Sequence, residues 1–328
     1  MKKILITGCT GLVGINLIHK LVELNYAEIH ILVRKTSNLK YLPVDKLIIH
    51  YGDTTDLNSM ENYFENIDEV INIAGIVSLN DRKLLHEVNV KGVQNVFECC
   101  IKNKIKKVIH ISSISAVDFG NKNKLSNENS SFGFEKYDLP YNHSKRKGEE
   151  IAFSYVEKGL NVICINPGFI LGPFDVKPSS GALILETLKF GFFYPLNSGT
   201  TIVHVEDVVF GIIKALECGK NGERYIISGE NVSYYDIFTE ILKMGNKKRI
   251  LIPIPKAIGL FMGFSFDFFG KIFNKSFNLN KQAVYSAYLG YHLSNEKSKK
   301  EFNINYKSYK TAIKDAYEWF KKEGYLNA

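Results

Sequence analysis

Apolar residues in the first half of the chain fall into short runs separated by amphipathic stretches. "KKILIT" (2–7), "EIHILV" (28–33), "KLIIHY" (46–51), "EVINIA" (69–74) and "KVIHIS" (107–112) are rich in isoleucine and valine and read as strands. Their near-continuous apolar character is that of strands buried on both faces. Helical spacing fills the gaps at 12–24, 57–66 and 82–103. Such alternation predicts an α/β fold: a Rossmann-type, doubly wound parallel sheet with helices on both sides. A sixth strand, "NVICIN" (161–166), follows a helix that starts near residue 140.

After residue 170 the pattern loosens. A short strand at 202–205 leads into a helix at 206–218, then "ERYIIS", then further helices ending in "YKTAIKDAYEWFKKEGYL". We expect a cofactor-binding domain over 1–170, with 200–220 returning to it, and a smaller mixed α/β substrate lobe over 171–328. The stretch 253–280 is rich in Phe and Gly. Its part "IGLFMGFSFDFFGKIF" is too short, and too charged at Asp267 and Lys271, to span a membrane. It reads as core, as the lining of an apolar pocket, or as a segment lying against lipid.

Composition narrows the classes. An apolar content of 45% and a charged content of 23% are those of a soluble globular protein. The net charge of +8 is spread along the chain without a recognised nucleic-acid motif, so a nucleic-acid partner is not expected. The five cysteines show no C-x-x-C spacing, which argues for reduced thiols, a cytoplasmic location and no metal site. The N-terminal apolar run stops at glycine, as a buried strand does and a signal peptide does not.

The chemistry begins at "ITGCTGLVG". Gly8, Gly11 and Gly14 stand between a strand and a helix, where glycine permits a tight turn and close approach of a pyrophosphate to the helix N-terminus. Thr10, Leu12 and Val13 complete that loop. An NAD site would place an acid after the second strand, to bind the ribose 2′-hydroxyl. Here stand Arg34 and Lys35, which suit a 2′-phosphate, so NADP(H) is favoured and NAD(H) remains possible. Asp53 and Thr54, after the third strand, are placed to meet the adenine edge.

Ligands of parallel sheets lie beyond the carboxyl ends of the strands. Ser112 and Ser113 end the fifth strand, so they share that crevice. In "DLPYNHSKRK" Tyr141 and Lys145 are four apart and lie on one helical face. Asp138 is a candidate N-cap, Pro140 suits the first turn, and Gly148, Ala152 and Tyr155 mark the sheet-facing side. A lysine ammonium beside a phenol, with a cationic nicotinamide when the coenzyme is oxidised, lowers its pKa, and bringing it from about 10 to near 7 takes ~4 kcal/mol. Tyr141 then exchanges a proton with a carbonyl or alcohol oxygen held by Ser113.

Together "TGCTGLVG", "GDTTD", "NIAG", "NVKGVQN", "ISS", "YNHSK", "NPGFILGP", "IVHVEDV" and "GERYIISGEN" resemble the extended short-chain dehydrogenases/reductases, a family that includes nucleotide-sugar epimerases and dehydratases. "LVRKTSNLKYL" and "AYEWFKKEGYL" are similar to the branch of dihydroflavonol 4-reductases and hopanoid-associated sugar epimerases. The resemblance implies Ser113 as catalytic hydroxyl, ahead of Ser112 or Ser115, Tyr141 as proton donor and acceptor, and Lys145 as its partner and a cofactor ligand. It also implies that Ile111, Ala74 and Gly75 line the cofactor, that Asn89 orders the site, and that Pro167, Gly168, Phe169 and Ile170 flank the nicotinamide. A homodimer through 82–103 and 141–158 is implied as well.

One departure bears on substrate. Many nucleotide-sugar members carry a diphosphate-binding arginine four residues before the histidine of "IVHV"; here Thr200 stands there, and no arginine follows before Arg224. His204 itself reads as a satisfied buried histidine. The reading that follows is NADP(H)-dependent reduction of a small, apolar carbonyl compound or oxidation of its alcohol. The alternatives are a nucleotide-sugar epimerase or dehydratase with tightly held NAD(P), and an NADP-sensing protein without turnover.

Overall fold

A computed structural model describes residues 1–78, 81–190, 192–273 and 281–327. Its strands are β1 Lys3–Thr7, β2 Glu28–Val33, β3 Ile48–Tyr51, β4 Glu69–Asn72, β5 Lys107–Ile111, β6 Val162–Pro167, β7 Phe169–Leu171, β8 Phe192–Pro195, β9 Gly199–His204, β10 Arg224–Ile227, β11 Glu230–Ser233 and β12 Leu251–Ile254. Its helices are α1 Leu12–Glu23, α2 Arg82–His86, α3 Gly92–Lys102, α4 Pro140–Ser154, α5 Ala182–Lys189, α6 Val205–Cys218, α7 Tyr234–Met244, α8 Lys256–Phe273, α9 Lys281–Leu289, α10 Glu296–Phe302 and α11 Tyr309–Lys322.

The main sheet has seven parallel strands in the order β10-β6-β5-β4-β1-β2-β3. The order reverses between β1 and β4, which opens a crevice at the carboxyl ends of those strands. Side-chain alternation explains why the strands are apolar throughout. Ile4 and Ile6 pack with α1 and α6 on one face, while Leu5, Val70 and Val108 pack with α3 and α4 on the other. Cys164, Cys99 and Cys100 belong to the second of these cores; Cys9 belongs to the first.

The predicted helix at 57–66 is instead two 3-10 turns, Leu57–Ser59 and Glu61–Phe64. Met60 and Phe64 are still buried, so the apolar spacing marked a covered loop. The predicted helix at 82–103 is continuous in direction but changes pitch: α2 passes through a π-helical segment, Glu87–Lys91, into α3.

Beyond the main sheet, β7, β9 and β11 form a three-stranded sheet and β8 pairs in parallel with β12. Helices α5, α7 and α11 cover the first of these through Ile184, Ile237, Ile241, Ile313 and Phe320. The Phe-rich stretch supplies β12 and α8, and its last residues, 274–280, lie outside the described residues. No helix among the described residues is long and apolar enough to cross a membrane.

Candidate active site

The loop from Gly8 to Gly11 links β1 to α1. Gly8 has φ +68°, and a Cβ there would lie 2.5 Å from the Ala74 nitrogen. A Cβ on Gly14 would lie 2.5 Å from the Cys9 Cα. Both positions are closed by the chain itself. Gly11 differs: it is exposed, and its nearest neighbour would be the Gly8 carbonyl oxygen at 3.6 Å. The space in front of Gly11 is therefore open. Helix α1 has no side-chain cap and no acid in its first turn, so its free N–H groups and positive dipole end face that space. Thr10 and Leu12 line it half-buried, whereas Val13 is turned into the core. The arrangement fits a dinucleotide pyrophosphate.

Arg34 and Lys35 follow β2 on the surface, and neither makes an ion pair with the described residues. The Arg34 backbone N–H donates to Ser37 Oγ, which fixes the turn. Asp53 is engaged locally: its carboxylate accepts from the Thr55 N–H and hydroxyl. The Thr54 carbonyl accepts from Asn95 Nδ2, and its hydroxyl borders Gly92. These two residues shape the rim after β3.

The loop after β4 is held from beneath. Thr7 Oγ1 donates to Asn72 Oδ1 at 2.6 Å and accepts from the Ala74 N–H at 3.2 Å. Asn72 also contacts His110, whose burial keeps it neutral, its pKa lowered to about 3. Asn89, presented by the π-helical segment, accepts from the Ile76 N–H and donates to the Ile76 carbonyl and to Ser144 Oγ. It thereby ties the Gly75 loop to α4. A π-segment in such a position re-aims one side chain without ending the helix.

Helix α4 carries Tyr141 and Lys145. Asp138 is not its N-cap: Leu139 holds that position without a capping side chain, and Asp138 is paired with Arg82. Pro140 opens the helix as expected. A Cβ on Gly148 would come within 2.3 Å of the Asn89 carbonyl, so that glycine lets α4 lie against the π-segment. Tyr141 is half-buried, and against the raising effect of burial the Ser113 side chain acts on its phenol to lower its pKa. Ser115 offers only its N–H to Ser113 Oγ, and the Ser112 hydroxyl is buried without a partner among the described residues. Of the three serines, only Ser113 acts on the Tyr141 phenol.

Lys145 is buried beneath Gly75, where an added Cβ would lie 3.5 Å from its Nζ. The acidified phenol expected from the sequence is not what the chain's own groups produce. Lys145 Nζ donates to the Ile111 carbonyl at 3.0 Å, and burial pushes Tyr141 up to about 12, against the lowering pull of Ser113. Burial likewise pulls Lys145 down to about 8, although the Glu149 carboxylate opposes this.

That carboxylate belongs to a buried network absent from our sequence reading. Arg224 pairs with Glu149 Oε1 at 2.5 Å, and Asn166 donates to Glu149 Oε2 at 2.5 Å and to the Ser113 carbonyl at 2.9 Å. A signal was present: Glu149 continues the Tyr141–Lys145 spacing by another four residues. Tyr291, whose hydroxyl accepts from Asn142 of α4, also reaches this helix, but nothing local in the sequence announces it. Pro167 is buried at the end of β6, and Gly168 packs on Thr201. Phe169 and Ile170 follow half-buried on β7. Thr200 is buried in β9, and Arg224 is committed to Glu149. His204 is fully buried, bonded to Asp315 and to the Glu206 N–H. Among the described residues no cluster of three or more metal-ligating side chains occurs.

Known proteins match this architecture. A Synechocystis sp. protein provisionally named dihydroflavonol 4-reductase is 28% identical, covering 98% of this chain and 95% of its own. Sterol demethylase protein B of Methylococcus capsulatus is 27% identical, covering 98% and 99%. The crystal structure of gox2253 superposes with a TM-score of 0.87 at 25% identity, covering 99% of both chains. The model of the NAD dependent epimerase/dehydratase family matches residues 4–228. The chain, an NAD(P)-dependent enzyme of the extended short-chain dehydrogenase/reductase type, belongs to that family.

Proposed function

We propose that this enzyme reduces the carbonyl group of a small, apolar molecule with NADPH, or oxidises the corresponding alcohol. The observation that carries the reading is the convergence of Ser113, Tyr141 and a buried Lys145, anchored to the Ile111 carbonyl, at the carboxyl end of the sheet. The α1 N-terminus with Gly11 would hold the pyrophosphate and Arg34 the 2′-phosphate. When bound, the nicotinamide supplies or accepts the hydride. Ser113 donates a hydrogen bond to the substrate oxygen, and Tyr141, protonated across the physiological range, delivers the proton in reduction.

The surroundings favour an apolar substrate. Thr200 offers no charge to a diphosphate, and Arg224 is already paired with Glu149. Aromatic residues stand beside α4: Tyr291 accepts a hydrogen bond from Asn142 and packs against Phe134. The relative named for sterol demethylation is consistent with an extended hydrophobic ligand.

The test is a panel of hydrophobic ketones and nucleotide-linked sugars with the purified chain. Consumption of NADPH in step with ketone, with NADH poorer, is the expected result. Conversion of a sugar nucleotide without added cofactor would replace this reading with epimerase or dehydratase chemistry. Tight NADPH binding without turnover of any compound would replace it with a sensing role.

A further inference from the structure

A second surface lies away from the catalytic crevice. The β8–β12 pairing sets Phe193 opposite Ile252, and both are exposed, at 52% and 43%. Arg249 reaches across to donate to the Lys189 carbonyl at 3.2 Å, which joins the two ends of this ribbon. Phe190 and Ile250 extend the apolar surface, with exposures of 55% and 77%. The first turns of α8 continue it: Ile258 and Phe261 are one helical step apart and exposed at 51% and 74%. The opposite side of α8 is packed, since a Cβ on Gly259 would lie 2.6 Å from the Tyr288 ring of α9.

Charge on this surface is one-sided. Residues 187–199 and 243–266 contain no Asp or Glu, yet carry Lys189, Lys243, Lys247, Lys248, Arg249 and Lys256. Six of the chain's 42 lysines and arginines therefore accompany the exposed apolar side chains, and all six residues are exposed. Large apolar side chains in water are costly unless something covers them. A basic rim around an aromatic-rich apolar face is complementary to anionic headgroups over acyl chains.

We propose that β8, β12 and the start of α8 form a docking surface for an anionic phospholipid membrane. Phe261, Ile258 and Ile250 enter the headgroup–acyl boundary, and Lys247, Lys248, Arg249 and Lys256 contact lipid phosphates. The enzyme lies on the bilayer and does not cross it. Helix α9 packs on α8, and its Tyr285 and Leu289 pack against the core cluster that includes Ile114, next to Ser113, and Leu139, at the start of α4. The docked face is thus one helix away from the segments that carry Ser113 and Tyr141. The docking does not depend on the reductase reading.

Cosedimentation with phosphatidylcholine vesicles, with and without phosphatidylserine, tests this on the full chain. Binding is expected only with phosphatidylserine, and raised salt should weaken it. The triple variant Lys247→Glu, Lys248→Glu, Arg249→Glu should lose on the order of a hundredfold or more in partitioning. Phe261→Ser should lose on the order of tenfold. Far-UV circular dichroism and an unchanged Tm establish that these surface variants remain folded. Absence of wild-type binding, or equal binding by the triple variant, overturns the proposal. So does a dimer in analytical ultracentrifugation that Phe261→Ser dissociates while vesicles bind neither protein; the face would then join two copies of the chain.

Discussion

Lys145 donates to the main-chain carbonyl of Ile111 at 3.0 Å, so the charge four residues from Tyr141 is anchored to the last residue of β5. The lysine is held by the strand end that also leads into Ser113. Its burial, with a pKa lowered to about 8, places its titration within the working range of an enzyme. Reduction that needs the ammonium should therefore decline as pH rises through about 8. A pH profile of NADPH-dependent turnover checks this. A plateau reaching well above pH 9 would show that Lys145 stays charged or is not required.

The same burial has a stability consequence. A lysine whose folded pKa is depressed destabilises the fold at pH values below that pKa, where both states carry the charge. The cost is relieved as pH rises from about 8 toward the unfolded value near 10.5. Lys145→Met should therefore be more stable than wild type at pH 7, by about 2 kcal/mol after loss of the Ile111 hydrogen bond. That gain should shrink between pH 8 and pH 10.5. Urea denaturation at pH 7 and pH 10 measures both. The variant should be more stable and less active together.

Tyr141 is the proton carrier in the proposed mechanism, and burial pushes its pKa up to about 12. Tyr141→Phe keeps the ring and removes the hydroxyl. Turnover should fall by about 10²–10⁴-fold, with NADPH affinity nearly unchanged. Stopped-flow oxidation of NADPH under single-turnover conditions separates the two. Alcohol oxidation by the wild type should improve as pH rises, because that direction needs the phenolate.

Much of the molecule was legible because its signals are local. The runs around Ile6, Ile31, Ile71, Ile109 and Ile163 are buried on both faces, as strands of a parallel sheet covered by helices on both sides are. Gly8, Gly11 and Gly14, and Tyr141 with Lys145, are fixed by spacing along one element. What escaped depends on contacts between distant elements. Arg224 meets Glu149 across 75 positions of sequence, and Tyr291 meets Asn142 across 149. The 57–66 segment misled because a covered loop buries Met60 and Phe64 at the same spacing a helix would.

The buried Glu149 is held by Arg224 on one oxygen and Asn166 on the other. Removing the carboxylate leaves a largely buried guanidinium uncompensated, so Glu149→Ala should cost about 3–5 kcal/mol. Since Asn166 also grips the Ser113 carbonyl, the surviving fold should show impaired turnover as well. Asn166→Ala, which keeps the ion pair, should be milder in stability yet still reduce turnover. Thermal denaturation and steady-state kinetics of both variants distinguish the two effects.

Arg34 is free of ion pairs with the described residues, and an acid is missing from the end of β2. Charge-assisted hydrogen bonds to a 2′-phosphate are worth about 1.5–3 kcal/mol. Arg34→Asp should weaken NADPH binding by roughly 10–100-fold and leave NADH binding equal or improved. Fluorescence titration of both coenzymes gives the ratio. Unchanged discrimination would remove Arg34 from the coenzyme site.

The glycine loop allows structure and binding to be separated at neighbouring positions. Gly14 is closed by the Cys9 backbone at 2.5 Å, and backbone cannot swing aside as a side chain tip can. Gly14→Ala should therefore destabilise the whole fold, by about 1–3 kcal/mol for an overpacked site, with or without coenzyme. Gly11→Ala adds its methyl where the nearest atom is 3.6 Å away. The fold should tolerate it. Its methyl would instead occupy the space before the α1 N-terminus that a pyrophosphate needs. Gly11→Ala should thus match wild type in Tm without coenzyme and lose most of the Tm increase that NADPH gives the wild type. A Gly11→Ala protein stabilised by NADPH as fully as wild type would mean that the pyrophosphate does not approach this glycine.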